Sequence, residues 1–479
     1  MEYTLNVNDI LKTGLFILNS NKTAYVPFTE NSEIYLTQEN NTALKNEILK
    51  LIADTKEVIK ICTFILTDKE IFKALLARAK ENDIAIFVLT QLDPSKLQNT
   101  SISELITEEE LKENPVNEHL FHIKMLYDHG AHVRAATTAH AKFIIADREK
   151  AMIMSANLTS PSLNFNTESG VYLDTNTVAE LDRLFDVIFQ HGTKYRQYHT
   201  ASKSKTFVVQ TAETISPQYL QIEPSSKLLY TYEHHSRRLY YSILDIIQSA
   251  VEYIYLSSYS IVALHHLPEF VDEIKKARAR NVDIYIFCRG MNYRSDHLKS
   301  CLELDGLGCR IYGDVYNHSK GIVNEKTGLI FTANIDGNHG LLNGFEVGYH
   351  LDETQRKTFL LFHKDLLRTS PYCFVNEPTR KVFFETYSIY EAVKRISPPT
   401  FAPDLLLNSV AGLSINPDDF VKYPIFYAKK GRDSYLFAGS KMYKCSLIAE
   451  QFTLLSSEDL RYDLEKFLLK YNNLKINLN

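Results

Sequence analysis

The stretch His140-Ala-Lys142-Phe-Ile-Ile-Ala-Asp147, followed by Ser155-Ala-Asn157 and then Glu168, returns as His318-Ser-Lys320-Gly-Ile-Val-Asn-Glu325, Thr332-Ala-Asn334 and Glu346. From histidine to glutamate is 28 residues in both copies. Unrelated loops have no reason to share that spacing together with matched lysine, asparagine and glutamate, so the copies read as two halves of one site. A single His-x-Lys is ordinarily no more than an exposed strand face. The repetition carries the reading.

These residue types suit phosphate chemistry. An imidazole attacks phosphorus or protonates a leaving oxygen near neutral pH, because its unperturbed pKa is about 6.5, and nucleophilic histidine is a route to a covalent intermediate. In an extended stretch residues i and i+2 point to the same side, so Lys142 is expected beside His140 and Lys320 beside His318. Asn157 and Asn334 offer amide donors, and Ser155 and Thr332 offer hydroxyls, for phosphate oxygens as charge builds. Glu168 and Glu346 are expected to hold the far nitrogen of their own histidines and fix the tautomer. Asp147 and Glu325 read as structural supports. Nothing in this set calls for a metal or another cofactor.

The two copies resemble the repeated signature of the phospholipase D superfamily, H-x-K-x4-D followed by a G-S-x-N element. The resemblance spans roughly residues 40 to 385. It implies two motifs paired across a pseudo-twofold axis, one histidine as nucleophile giving a phosphohistidine and the other as general acid; by analogy His140 attacks and His318 protonates. The sequence departs from the signature at Met154, where glycine is usual, at Glu325 for aspartate, and at Phe331-Thr332-Ala333-Asn334, which lies one residue closer to its histidine and has threonine for serine. Thr332 keeps a hydroxyl and Glu325 keeps the charge, so these changes are expected to reshape the pocket and leave the chemistry in place.

Working outward, 479 residues with 45% hydrophobic and 23% charged content are enough for two domains with cores. A net charge of −5 argues against a surface coated in positive charge for duplex binding. The first residues lack a signal-peptide pattern, and no window approaches the length of a membrane span, so the chain reads as cytoplasmic with no integral membrane association. The six cysteines show no C-x-x-C pair and read as small buried residues.

Residues 1–40 read as a β-rich N-terminal apron. Leu44, Ile48, Leu49 and Ile52 then mark a helix, followed by a strand from Val58, a helix from about Asp68 to Asn82 and the strand Ile84–Leu89. The second half repeats this plan, with helices near 238–250 and 268–280 around the strand Tyr253–Tyr259, and then Ile284–Cys288. Asp83-Ile-Ala-Ile-Phe87 matches Asp283-Ile-Tyr-Ile-Phe287, the mark of an internal duplication. The first half carries 22 extra residues before its histidine, among them Glu104, Glu108, Glu109, Glu110 and Glu113, which read as a solvated acidic helix. Arg289, after a strand end, and Tyr293 and Arg294 in the loop beyond it are candidates for lining the cleft, and Tyr259 or Tyr293 for stacking on a substrate strand. His234-His-Ser-Arg-Arg238 places arginines where a helix dipole disfavours them, which hints at an external anion.

The expected fold is α/β: two similar α/β sandwich lobes, phospholipase D-like and related by pseudo-twofold symmetry, plus a small C-terminal α+β appendage. Residues 41–194 form the first lobe, 195–227 a linker, 228–396 the second lobe, and 397–479 the appendage, with a strand pair around Lys429-Lys-Gly-Arg432 and a helix near 457–471. The expected function is a phosphodiesterase, a nuclease acting on DNA or RNA. The alternatives are a soluble phospholipase or phosphatidyltransferase, and a nucleic-acid-binding subunit without catalysis. Resemblance to soluble nucleases of the superfamily implies work alongside a partner, a DNA-translocating ATPase, as in anti-phage defence.

Overall fold

Val58–Cys62 and Tyr253–Ser257 are short, largely apolar runs, interrupted by Lys60 in the first and ending in Ser257 in the second, the pattern of strands covered on both faces, and each is the centre of a mixed sheet. In the computed structural model the described residues run from 14 to 379, except 27, 29–32, 82–83, 93–114, 137, 193–194, 202–203, 210–219 and 293, with residues 10 and 382 and the strands 426–430, 433–438, 441–446 and 451–454. The acidic stretch Glu104–Glu113, Tyr293 and the helix expected near 457–471 lie outside them.

The first sheet orders its strands as 204–209, 195–201, 132–136, 85–90, 58–62, 143–146, 150–154, 168–172 and 34–37. The second runs 14–18, 372–376, 310–313, 283–288, 253–257, 321–324, 328–331, 345–350, 228–232 and 236–237. From 195–201 to 168–172 in one, and from 372–376 to 345–350 in the other, the order is the same. The directions agree too: 58–62, 85–90 and 132–136 are parallel neighbours, as are 253–257, 283–288 and 310–313, and the remaining pairs are antiparallel. The parallel steps are crossed by helices, Lys69–Lys80 and Pro115–Asp128 in the first half, Pro268–Ala279 and Ser295–Gly306 in the second.

Two features differ from the sequence reading. Residues 195–209 read as a surface connection, yet Tyr195–Ala201 and Ser204–Val209 add a hairpin to the outer side of the first sheet. The polar residues of this stretch hid a hairpin whose outer strand, Ser204–Val209, forms the edge of the sheet, where an apolar run is not required. The apron is also more than an apron: Gly14–Leu18 pairs with Tyr372–Asn376 in the second sheet, and Ile34–Thr37 pairs with Glu168–Tyr172 in the first. The strand pair expected in the appendage is the start of a four-stranded antiparallel sheet.

The core has three parts. One lies on the outer face of each sheet, and the third lies between the sheets, where helices Thr175–His191 and Glu353–Thr369 contribute Leu181, Phe185, Phe359 and Phe362 among strand residues of both halves. Phe143 meets Phe345 edge to face at 6.1 Å across the junction. A shared apolar layer of this kind fixes the halves against one another.

Asp147 accepts from the backbone N–H groups of Lys56, Glu57 and Val58 at 2.9, 2.7 and 3.1 Å. Burial works against its charge, but the three donors hold its carboxyl below the usual range. Glu325 does the same for Val251 and Glu252 at 2.8 and 3.4 Å. Both acids thus secure the start of a central strand.

Buried histidines serve each half. His119 Nδ1 accepts from Leu66 N–H at 3.0 Å and its Nε2 faces Gln91 O at 2.8 Å, while His363 sits between Phe359 O and Ser257 Oγ at 2.8 and 3.1 Å. Burial pushes both pKa values down to about 4. In the unfolded chain each titrates near about 6.5. Below that value the unfolded chain binds protons that the folded chain refuses, so stability is lost as pH falls from about 6.5 to about 4, on the order of 3 kcal/mol for each group at the lower limit. Urea midpoints measured stepwise from neutral to mildly acidic pH should fall accordingly. A flat profile above the carboxylate range would show that these imidazoles are not neutral in the folded state.

Candidate active site

The two histidines meet at the junction because of an exchange of backbone bonds. His140 and Ala141 donate their N–H groups to Phe345 O at 3.0 and 2.8 Å, and His318 donates to Thr167 O at 3.0 Å. Phe345 and Thr167 are the residues just before Glu346 and Glu168. Each histidine is therefore pinned next to the glutamate of the opposite half.

The side chains complete the exchange. His140 Nδ1–H donates to Glu346 Oε1 at 2.7 Å, and His318 Nδ1–H donates to Glu168 Oε1 at 2.7 Å. The expectation that each glutamate serves its own histidine is corrected here. Spacing within a copy could not reveal it, since both copies have the same 28 residues. Both carboxylates are buried.

Ser155 and Thr332 also differ from expectation. Ser155 Oγ donates to Glu168 Oε2 and Thr332 Oγ1 to Glu346 Oε2, both at 2.5 Å. They accept in turn from Ser169 N–H and Val347 N–H, at 3.0 and 3.1 Å. Both hydroxyls are buried and directed at the carboxylates, so they orient the glutamates where phosphate contact was expected. Thr332→Val is expected to lower kcat about tenfold, the equivalent of about 1.4 kcal/mol for one charge-assisted hydrogen bond, with KM little changed. A fall in KM-dependent binding alone would instead place the hydroxyl on substrate.

Lys142 and Lys320 precede the strands Phe143–Ala146 and Gly321–Asn324. Lys142 Nζ donates to His140 O at 2.6 Å and to His140 Nε2 at 3.1 Å, and Lys320 Nζ donates to His318 O at 2.8 Å and lies 3.2 Å from His318 Nδ1. Both ammonium groups are buried. Asn157 is buried and Asn334 partly exposed, and Asn334 Oδ1 makes no hydrogen bond among the described residues.

The halves are not alike around their histidines. The His318 side chain is 5% exposed and that of His140 is 28% exposed, so His140 is the more approachable. Tyr259 presents its ring edge to His318 at 5.1 Å, and Arg289 lies over the Tyr259 ring at 5.4 Å. The equivalent places beside His140 hold Phe64, whose ring is 5.7 Å away, and Gln91. Burial first, and then Lys142, lowers the His140 pKa, against the pull of Glu346. His318 is held well below its ordinary value by burial and by Lys320, Lys142 and Arg289. Glu346 resists burial and stays ionised because His140 and Lys142 favour its charge.

Arg294 does not line this centre through a free charge: it grips Asp296 with Nε and an Nη at 3.0 and 3.1 Å. Arg238 is also occupied, donating to the carbonyls of Glu223, Pro224 and Ser226 at 3.0, 2.9 and 3.1 Å, which explains its place at a helix start without an external anion. Sequence reasoning missed Phe64, the Ser169–Ser319 hydroxyl pair at 2.9 Å across the junction, and Asn166 and Asn317, whose amide oxygens are buried without a hydrogen bond among the described residues. Ser319 and Asn317 flank His318, a signal that was available.

A family described as cardiolipin synthase, PLD-like domain, matches residues 48–189. No curated protein matches the chain. Among solved structures, phosphatidylserine synthase of Haemophilus influenzae Rd KW20 is 10% identical with a TM-score of 0.50, over 83% of this chain and 97% of that one. Polyphosphate kinase of Porphyromonas gingivalis is 15% identical with a TM-score of 0.45, over 70% of this chain, which spans half the length of the kinase, 50%. The phospholipase D family member Nuc of Salmonella typhimurium is 20% identical with a TM-score of 0.27, over 31% of this chain and 98% of Nuc. At such identities the likeness is one of fold, and it rests on the synthase. Residues 48–189 thus resemble a PLD-like domain, and the fold of the chain is similar to that of the synthase.

Proposed function

We propose that the protein is a phosphodiesterase that cleaves nucleic acid through a phosphohistidine on His140. The observation that carries the reading is the crossed pair of contacts, His140 with Glu346 and His318 with Glu168, each 2.7 Å, with a buried lysine beside each imidazole. Glu346 accepts a hydrogen bond from Nδ1–H of His140, which fixes the tautomer and leaves Nε2 with a lone pair. The lowered pKa keeps that nitrogen unprotonated at neutral pH, and its greater exposure makes it the attacking atom. Lys142 and Lys320 then turn to the phosphate oxygens, where charge accumulates in the transition state.

His318 is neutral in the free protein and gains its proton as the anionic phosphate enters and offsets the surrounding cations. It passes that proton to the leaving oxygen, and in the second step takes one from the water that attacks the phosphohistidine. Arg289 and Tyr259, on the His318 side, give the leaving segment a cation and a ring, which suits a nucleotide chain. The net charge of −5 leaves long-range attraction of a polyanion to a partner.

A second reading, phosphatidyl transfer, is favoured by the alignment over 97% of a phosphatidylserine synthase. Among the described residues no helix is long and apolar enough to cross a membrane. The test is cleavage of single-stranded DNA, duplex DNA, RNA and phospholipid vesicles in EDTA, by the protein and by His140→Ala and His318→Ala. Nucleic acid cut by the wild type and by neither variant is the expected result. Consumption of vesicles alone would replace it with the second reading.

A further inference from the structure

A site built from two like halves does not by itself say which way a strand lies across it. Each imidazole has a glutamate of the opposite half at the same 2.7 Å and a buried lysine beside it, whereas a nucleotide chain has a direction. The direction has to come from where the halves differ.

Beside the histidines the difference is one of charge. Arg289 follows the strand Asp283–Cys288, and Gln91 follows the strand Ala85–Thr90. Their backbones are clamped alike: Arg289 N–H donates to Tyr259 O and Gln91 N–H to Phe64 O, at 3.1 and 3.3 Å, while their carbonyls accept from His297 Nε2–H and His119 Nε2–H at 3.1 and 2.8 Å. The side chains then part. Gln91 turns back on its own chain, where its Oε1 accepts from Leu92 N–H at 3.0 Å. Arg289 reaches over Tyr259, with Cζ 5.4 Å from the ring centroid, and that ring stands 5.1 Å from the ring of His318.

The guanidinium is therefore one tyrosine ring away from the imidazole of the leaving side. Its charge is felt there: burial first, and then Lys320, Lys142 and Arg289, disfavour the protonated form of His318. Of these three cations the two lysines are 0% exposed and Arg289 is 7% exposed, so Arg289 is the one that keeps contact with solvent. A guanidinium also offers a planar fork that matches two phosphate oxygens, and a backbone clamped at both N–H and carbonyl holds it in place before any substrate arrives.

We propose that Arg289 binds the phosphate that neighbours the scissile one on the leaving segment of a nucleic acid strand. This rests on the nuclease reading above and adds two things to it. The favoured substrate carries a second phosphate one nucleotide beyond the cut, and the strand lies in one direction only, since Gln91 gives the segment kept on His140 no matching cation. An isolated phosphodiester lacks the second anion and is gripped at one point.

The experiment compares a thymidine dinucleotide that has only its internal phosphate with the same dinucleotide bearing a further phosphate at one end or at the other, cut by the wild type and by Arg289→Gln. The wild type is expected to favour one of the two phosphorylated forms over the plain one by about tenfold or more in kcat/KM, the scale of a charge-assisted contact. Its products should be two identical mononucleotides, because the added phosphate departs with the leaving segment. In Arg289→Gln that preference should collapse to about one, whatever the rate on the plain form. Thymidine and thymidine bisphosphate as products would put the added phosphate on the retained segment and overturn the proposal. So would equal rates on the two phosphorylated forms, or a preference kept in a folded Arg289→Gln, which would leave the arginine acting only through His318. Wild-type rates and products decide even if the variant fails to fold. Cleavage of all three forms at one rate overturns the proposal and leaves the nuclease reading standing, whereas a wild type that cuts no nucleic acid removes both.

Discussion

Replacing His140 by alanine is expected to lower turnover about 10⁴-fold or more, the scale seen when a nucleophile that works as part of a unit is removed. His318→Ala is expected to lose a similar factor on an ordinary substrate, and the double variant little more, because both losses fall on one reaction path. The two variants part when the leaving group changes. A phosphodiester with a good leaving group, such as a nitrophenolate, does not need a proton from the enzyme. His318→Ala should therefore recover a burst of released phenolate, whereas His140→Ala should not. The burst should leave phosphorus on the peptide that contains His140. Rescue of His140→Ala instead would exchange the two roles.

Glu346→Gln and Glu168→Gln are expected to cost about 10³-fold in kcat each, since an amide leaves the imidazole in place but no longer fixes its tautomer or balances its charge. Their rescue should be crossed. Glu168→Gln weakens His318, in the other half, and should respond to the activated leaving group like an acid variant. Glu346→Gln weakens His140 and should not respond. Pairing within each half would give the opposite pattern, so the same assay tests the 2.7 Å contacts directly. Thermal unfolding of both variants separates a change in chemistry from a change in fold.

The repeated His-x-Lys motifs were legible because two copies carry the same residues at the same spacing, and the central strands because largely apolar runs such as Val58–Cys62, broken only by Lys60, mark burial on both faces. The crossing of the glutamates was not legible, because it depends on which strands meet at the junction, and sequence distance holds no information on that. Ser155 and Thr332 show a related limit. A hydroxyl near a phosphate site and a hydroxyl that orients a carboxylate have the same sequence pattern, and only the position of Glu168 and Glu346 distinguishes them. The partner of Gly14–Leu18 escaped because it is remote in sequence, and the hairpin of Tyr195–Ala201 and Ser204–Val209 because the stretch begins with polar residues.

The pairing of Gly14–Leu18 with Tyr372–Asn376 bears on how the protein is made. Synthesis proceeds at about 5–20 residues per second, so this strand waits on the order of tens of seconds for its partner to leave the ribosome. Through that interval Leu15, Phe16 and Ile17 have no sheet to join, and the outer edge of the second sheet does not yet exist. The nascent chain thus carries a sticky apolar segment until almost all of both halves has been translated. A chaperone that holds such segments would have its longest engagement here, and yield in cells would depend on translation speed more than on the stability of the finished fold.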